Sequence, residues 1–383
     1  MPLHFTREEY ATRQARATAA LREANLDALL IFAPESQYWL TGYDTFGFVF
    51  FQCLVVKADG EMALLTRSAD LRQARHTSTI DSVVIWRDAA TANPAQDLRK
   101  LMGEMDLLGA TVGVEWDTHG LTAANGRRVE EALSSFAKLK DASSLIHLLR
   151  VVKSEEEIAH IRKAARYADL AFDAALETTK AGVDEADILT AMQAAALSEG
   201  GDYPANPFVL GSGADALLCR YKSGRRKLSN KDQLTIEWAG VAAQYHVAMM
   251  RTLVIGTPKP KHQEHYEAAQ AALTAVEQAM RPGHSFGDVF DAHAKAMDGA
   301  GLSRHRLNAC GYSLGARYAP CWMDGPMFYA GNETPIEPSM TLFAHMIIMD
   351  SESETATCLG QTYLTTDGAP EPLSRHGTDF IAL

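Results

Sequence analysis

The spacing of apolar and polar residues predicts alternating helices and strands over the first part of the chain. An amphipathic period of 3.6 residues marks helices, and short apolar runs bounded by turn residues mark strands. The predicted elements are a helix over residues 7–24, a strand over 28–32, a hairpin of strands 53–56 and 62–65, a helix near 95–106 and a strand over 110–115. This alternation predicts an α/β domain over residues 1–150.

A second pattern begins near residue 150. Ser154 is followed three residues later by Glu157, the spacing of a capping box, and apolar residues then recur at helical steps. A further helix is predicted from Tyr266 to Met280, and the next one begins near Ser285. Apolar, β-branched strands are predicted over residues 232–256, between the first helix and these two, and over residues 340–366, after them. The order of helix then strand occurs twice, so residues 151–383 are predicted to form one α+β domain of two related halves.

Composition narrows the class of partner. The 383 residues are 47% hydrophobic and carry a net charge of −12, with no basic stripe. Such a chain repels nucleic acid and anionic membrane surfaces, so neither is an expected partner. We expect a small-molecule substrate instead.

Cysteine usage and the first residues suggest the compartment. The five cysteines are scattered and show neither zinc-knuckle nor redox-pair spacing. The N-terminal residues are charged and helix-forming, and no run approaches the roughly 20 apolar residues of a membrane span. A cytoplasmic protein with reduced thiols is therefore expected.

Several segments together resemble the pita-bread fold of creatinase, prolidase and methionine aminopeptidase. The segments are LLRVVKSEEEIAHIRKAA, YHVAMMRTLVIG, CGYSLG and EPSMTLFAHM, and FTREEYATRQAR with YWLTGYD is similar to the N-terminal domain of the creatinase and prolidase branch. The resemblance implies a pita-bread domain of α+β class behind an N-terminal α/β domain. It also implies a homodimer, with residues 43–51 of one subunit bordering the pocket of the other.

The metal-ligand positions of this fold differ in every case. Metallopeptidases with this fold hold two divalent ions with two aspartates, a histidine and two glutamates. The resemblance aligns these ligands with Glu237, Ala248, Tyr312, His345 and Gln361. One carboxylate, a phenol, an imidazole and an amide cannot neutralise two divalent ions. The sequence therefore predicts no metal site and no cofactor.

Other segments resemble the ectoine hydrolases. These are GGDYPA, GSGADA, EWAG, the pair Tyr245-His246, and CGYSLGARYAPCW. Arg220 stands where a histidine of those enzymes is expected, and Gln361 stands at their late acidic position. The resemblance implies metal-independent hydrolysis of a C–N bond, of the amidine, cyclic amide or urea type, in a small osmolyte-like compound.

Three residues are predicted to be catalytic. Glu237 follows an apolar run and precedes two small residues, so burial would raise its pKa and suit it to act as a base or as a nucleophile. His345 or His246 would take part in proton transfer, and His345, as a neutral imidazole among apolar neighbours, could shuttle a proton near pH 7. Strand alternation sends Tyr245 and His246 to opposite faces.

Six residues are predicted to contact the substrate. Arg220 would clamp a carboxylate with its planar fork, and Tyr312 lies in a glycine-flanked turn where its phenol can donate a hydrogen bond. Aromatic side chains would stack on a delocalised cation. The full set is Arg220, Tyr312, Trp322, Tyr318, Gln361 and Phe46.

Two other interpretations stay open from the sequence. The first is a metal-dependent Xaa-Pro dipeptidase or aminopeptidase. The second is a catalytically inactive pita-bread domain that binds a ligand or a partner.

Overall fold

The structure, a computed structural model, describes residues 3–220 and 224–383. The chain divides into two compact units, Met1–Arg150 and Val151–Leu383. No helix in the described ranges is both long enough and apolar enough to cross a membrane.

The first unit contains helices on both faces of a mixed sheet. Its strands are β1 (Ala28–Ile31), β2 (Cys53–Lys57), β3 (Met62–Arg67), β4 (Ser82–Trp86), β5 (Thr111–Val114) and β6 (Lys138–Asp141). Its helices are α1 (Arg7–Glu23), α2 (Pro34–Thr41), α3 (Leu71–Thr77), α4 (Pro94–Glu104), α5 (Ala123–Leu133) and α6 (Ser143–Leu149). The strand order is β4-β3-β2-β1-β5-β6, with β2 antiparallel to both of its neighbours.

Strand alternation gives this unit two apolar layers. Ala28 and Leu30 of β1 pack with α4 and α5, whereas Leu29 and Ile31 pack with α1, α2 and α6. A strand that is buried on both faces has a continuous apolar sequence, and this is the pattern that predicts a strand over residues 28–32. The predicted helices, strands and hairpin of this unit are confirmed.

The second unit is built from helix pairs and a large sheet. Its helices are α7 (Glu155–Thr178), α8 (Glu185–Ser198), α9 (Pro260–Ala279) and α10 (Phe286–Gly299). Its strands are β7 (Val209–Ser212), β8 (Asp232–Ala242), β9 (Tyr245–Ile255), β10 (Gly311–Ser313), β11 (Asp324–Met327), β12 (Thr341–Asp350), β13 (Thr355–Leu364), β14 (Glu371–Pro372) and β15 (Ile381–Ala382). The main path of the sheet is β11-β10-β12-β13-β9-β8-β7.

Helix ends in this unit follow local capping signals. The Ser154–Glu157 capping box is present at the start of α7, and Ser285 caps α10. The helix that was predicted to begin at Tyr266 instead begins at Pro260, because proline at the first helical position is preorganised for a helix and lacks only an N–H that would be unpaired there. Two helices followed by antiparallel strands occur twice, in agreement with the predicted α+β class.

The helices pack on one face of this sheet. Leu342, Ala344 and Met346 of β12 belong to the apolar core that α9 and α10 complete. On β8, the indole N–H of Trp238 donates to the Ala168 carbonyl of α7 at 2.9 Å. The alternate residues of both strands therefore face away from the helices.

Candidate active site

The face of the sheet turned away from the helices carries the candidate site. In the antiparallel register, Glu237 of β8 pairs with Met250 of β9, and Met250 also pairs with Gly360 of β13. Gly360 in turn pairs with His345 of β12. Directly paired residues share a face of a sheet, so these side chains form a row across the four strands. The row brings together Glu237 and His345, which are far apart in sequence.

Glu237 is a buried carboxylate with few polar neighbours. It is 8% exposed, and this burial raises its pKa to about 7, although the charge of Arg220 and a hydrogen bond from Tyr312 act in the opposite direction. The Tyr312 hydroxyl donates to Glu237 Oε1 at 3.5 Å. A carboxylate whose pKa lies near neutrality is half ionised at pH 7 and can both accept and return a proton.

Tyr312 lies between Glu237 and Trp322. Its hydroxyl accepts a hydrogen bond from the indole N–H of Trp322 at 3.0 Å. Burial and the neighbouring Glu237 raise the pKa of Tyr312 well above its usual value, so the phenol stays protonated. Trp322 is only 1% exposed, so its ring is not the open aromatic wall that was predicted.

His345 is a neutral imidazole beside Tyr312. The two ring centroids are 5.8 Å apart, and the Nδ1 atom of His345 has no hydrogen-bond partner within the described ranges. Burial, with smaller contributions from His293 and Arg220, lowers the pKa of His345 to about 3. Because desolvation disfavours its charged form, the imidazole stays neutral at pH 7, and a pKa this low weakens it as the proton shuttle that the sequence predicts. Its ring nitrogens can still donate or accept a hydrogen bond.

His246 lies on the same face of the sheet as Glu237, but its side chain binds a backbone amide. Its register partner is Val241, two pairs along from Ala239 and Ala248. Its Nε2 accepts a hydrogen bond from the Ala205 amide at 2.9 Å, and burial lowers its pKa to about 4. With Nε2 already bonded, His246 holds the 200–207 loop and does not titrate near pH 7.

Gln361 does not lie with Glu237 and His345. It pairs with Ala344, so it faces the helices, and its Oε1 accepts a hydrogen bond from Arg251 Nη2 at 3.0 Å. Gln361, which is predicted to contact the substrate, thus lies on the opposite face of the sheet from Glu237 and His345, because a strand reverses its face at every step. The residue of β13 that faces the site beside His345 is Gly360.

The remaining predicted contacts differ in their exposure. Arg220 is exposed, with Nη2 4.0 Å from Met323 Sδ, and its charge acts on both Glu237 and His345. Tyr318 is buried. Phe46 belongs to the first unit, where it is 77% exposed at the surface. Of these three residues, Arg220 is the one that acts on Glu237 and His345 through its charge.

Phe343 and Met250, which are not among the predicted site residues, pack beside His345 and Glu237 on the same face of the sheet. Phe343 lies two residues before His345 on the same face, and its ring centroid is 5.3 Å from that of Tyr312. A Cβ placed on Gly360 would be 2.6 Å from Phe343 Cζ and 2.7 Å from Met250 Cβ. Phe343 and Met250 therefore occupy the space that a side chain from β13 would need. The two-residue step from His345 could have identified Phe343.

The donor groups of this face do not fit a pair of divalent metal ions. At the aligned ligand positions these groups are the Glu237 carboxylate, the neutral His345 imidazole and the protonated Tyr312 phenol, and Phe343 fills the neighbouring space. The Cys219 and Cys358 thiols near Glu237 and the His246 imidazole add no charged oxygen. Two divalent cations need several charged oxygen ligands to offset their desolvation. Among residues 3–220 and 224–383, no group of three or more His, Cys, Asp or Glu side chains is arranged to bind a metal.

The chain nevertheless matches known families over most of its length. Residues 159–367 match the model of metallopeptidase family M24, and residues 13–152 match the creatinase/prolidase N-terminal domain. The chain belongs to metallopeptidase family M24. It is a hydrolase of that family, with the pita-bread fold and a creatinase-like N-terminal domain.

Two relatives are similar to this chain over most of its length. An ectoine hydrolase from Halomonas elongata is 29% identical over 365 residues, covering 88% of this chain and 89% of that protein. An uncharacterized hydrolase/peptidase, y4tM, from Sinorhizobium fredii is 28% identical over 394 residues, covering 99% and 98%.

Solved structures show the fold. Dipeptidase PepE from Mycobacterium ulcerans superimposes with a TM-score of 0.85 at 24% identity, covering 99% of both chains. An Xaa-Pro dipeptidase from Bacillus anthracis gives a TM-score of 0.84 at 18% identity, covering 98% of this chain and 100% of the other. The fold is thus shared with peptidases whose sequences are distant.

Proposed function

We propose that this chain is a metal-independent hydrolase that opens a C–N bond of the amidine, cyclic amide or urea type in a small, ectoine-like nitrogenous compound. One observation carries the proposal. Glu237 is a buried carboxylate with a pKa raised to about 7, and its neighbours on the sheet face are Met250, Gly360 and a neutral His345 rather than further carboxylates. The similarity to an ectoine hydrolase supports the substrate class.

In this proposal Glu237 acts first as a base and then as an acid. It takes a proton from a water molecule as the water oxygen bonds to the carbon of the C–N group, and the π electron pair of the C=N or C=O bond at that carbon moves to its nitrogen or oxygen. The protonated carboxyl then gives that proton to the leaving nitrogen, which departs with the electron pair of the C–N bond as an oxygen lone pair forms the C=O bond of the product. This regenerates the carboxylate. A pKa near the working pH suits both steps. An amidinium substrate would also be attracted to the carboxylate.

The neighbouring groups would orient the substrate. Tyr312 fixes one oxygen of Glu237, which leaves the other oxygen for the water. His345 Nδ1 lacks a partner in the described ranges, so it can bind a polar atom of the substrate. Arg220, at the exposed rim, can pair with a substrate carboxylate.

The test is a mass-spectrometric screen of the purified protein against amidines, cyclic amides, ureas and Xaa-Pro dipeptides. Turnover of an amidine, cyclic amide or urea, but not of dipeptides, is the expected outcome. Turnover of Xaa-Pro dipeptides alone would assign the chain to the peptidase branch. A lack of turnover across the whole panel would indicate an inactive binding domain.

Metal analysis provides an independent prediction. Purified protein should contain well below one divalent ion per chain, and a chelator should leave its turnover unchanged, because one carboxylate cannot hold a metal pair. Elemental analysis and assays with and without EDTA measure this. Two ions per chain, with activity lost on chelation, would contradict the metal-independent mechanism.

We also propose that the protein is a homodimer that uses an apolar patch of the first unit. Phe46, Val49 and Phe50 lie close together in sequence and are 77%, 52% and 49% exposed. Exposed apolar groups of this size commonly mark an interface.

Phe46→Glu should shift the dimer toward monomer in analytical ultracentrifugation. Leu108→Glu, at an exposed apolar residue outside this patch, should not. A monomeric parent protein would contradict the proposal.

A further inference from the structure

A chain of hydrogen bonds connects the 200–207 loop to Glu237 through Trp322. The Trp322 backbone amide donates to Asn206 Oδ1 at 3.0 Å, and its indole N–H donates to the Tyr312 hydroxyl at 3.0 Å. Tyr312 in turn donates to Glu237 Oε1 at 3.5 Å. Trp322 is thus held by its backbone at one end and fixes Tyr312 with its side chain at the other.

The loop that holds Trp322 is itself fastened at several points. His246 Nε2 accepts from the Ala205 amide at 2.9 Å, and Asp202 Oδ2 accepts from the Ala243 amide at 2.7 Å. The His246 and Trp322 rings lie 6.4 Å apart. His246 therefore acts on the site at a distance, because it holds the loop that supports Trp322.

The chemistry of a phenol explains why the indole matters. A phenol has one proton, which prefers the plane of the ring and so has two favourable directions. An N–H donor that occupies one of these directions leaves the proton only the other, which here points to Glu237. An indole nitrogen donates and never accepts, so Trp322 cannot reverse this polarity.

We propose that Trp322 is a positioning residue that directs the only proton of Tyr312 toward Glu237. The inference rests on the proposed function, since it assumes that Glu237 is the reacting carboxylate. It assigns Trp322 a role different from stacking on the substrate, for which the 1% exposure of its side chain leaves no open face.

The test follows the ionisation of Glu237 directly. Protein labelled with ¹³C at glutamate carboxyls is titrated by NMR, and the Glu237 signal is assigned from its loss in Glu237→Gln. In the parent, Arg220 and Tyr312 act on Glu237, and Glu237 in turn acts on the thiols of Cys219 and Cys358. All of these except Tyr312 are unchanged in the variants described next.

Tyr312→Phe removes the donor and should raise the pKa of Glu237 by about one unit. Trp322→Phe should raise it in the same direction by a smaller amount, since Tyr312 then samples both directions. The double variant should match Tyr312→Phe alone, because Trp322 acts only through Tyr312. Trp238→Phe, which removes a buried indole N–H on the opposite face, should leave the Glu237 titration unchanged.

Two results would overturn the inference: an unchanged pKa of Glu237 in Trp322→Phe, or a Trp322→Phe shift that adds in full to that of Tyr312→Phe. The titration needs no substrate, so its outcome is separate from that of the activity screen. A null titration with an active parent removes the role of Trp322 and leaves the proposed function intact. The expected shifts in an inactive parent would remove the function and leave the hydrogen-bond chain.

Discussion

Glu237→Gln is expected to lower turnover of the substrate found in the screen by about 10³-fold, the scale of a lost general base. Glutamine keeps the shape and can still accept the Tyr312 hydrogen bond, but it cannot take a proton from water. In the parent, the rate should rise as the pH increases through about 7, because the reactive form of Glu237 is the carboxylate. Steady-state rates across pH measure both effects.

The same substitution should make the folded protein more stable at alkaline pH. The pKa of Glu237 is raised in the folded state from 4.5 to about 7, so the folded carboxyl holds its proton more tightly than the unfolded one. The destabilising effect is absent below pH 4.5, grows as the pH rises to about 7 and is then constant. Glu237→Gln should therefore gain up to about 3 kcal/mol at pH 8 in denaturant unfolding.

A buried carboxylate outside the site provides the matched control. Glu157 is 1% exposed at the start of α7, and its Oε1 accepts a hydrogen bond from the Tyr245 hydroxyl at 2.7 Å. Glu157→Gln should lose stability and keep the parent rate within a few fold. A Glu237→Gln protein that is folded and as active as the parent would show that Glu237 is not the catalytic base.

Gly240→Ala should destabilise the protein by more than about 4 kcal/mol, which places it among the most damaging single substitutions. A Cβ at this position would lie 2.0 Å from the Ala164 carbonyl oxygen and 2.3 Å from the Ala168 amide nitrogen. Both atoms belong to the backbone of α7, so no side-chain rotation relieves the overlap. The glycine of the EWAG segment thus allows α7 to pack against β8, directly behind the residues that flank Glu237.

Soluble yield and urea unfolding measure this effect, and Gly299→Ala is the control. Gly299 ends α10 and has no heavy atom within 4 Å of an added Cβ. Alanine there should change the stability by no more than about 1 kcal/mol, and in the stabilising direction. A Gly240→Ala protein with parental stability would mean that α7 does not approach β8 this closely.

Local signals were sufficient for the elements of this fold. The period of 3.6 in α1, the capping box of Ser154 and Glu157, and the apolar run of β1 depend on residues close together in sequence. An exception is α9, which begins at Pro260, six residues before the predicted start at Tyr266. Family resemblance added the pita-bread architecture, which the domain matches confirm.

The site residues depended on register, which is not local. Gln361 and Gly360 are adjacent in sequence, yet they lie on opposite faces of the sheet. Gln361 bonds to Arg251, whereas Gly360 lies beside His345. Only the pairing of β12 with β13 decides which residue takes which face. The protonation states of His345 and His246 likewise depended on burial by residues distant in the chain. Trp322 could be named as an aromatic, but its bond to Tyr312 could not be predicted from their spacing.

The sequence by itself determined which groups are present: one acid at Glu237, no further charged ligand at the aligned metal positions, and the helices and strands that carry them. The tertiary structure decided how those groups act. It buries Glu237 so that its pKa reaches about 7, seats Phe343 over Gly360, and directs Tyr312 toward Glu237. The physical reason is that composition and periodicity act through neighbours in sequence, whereas desolvation and hydrogen-bond direction act through neighbours in space.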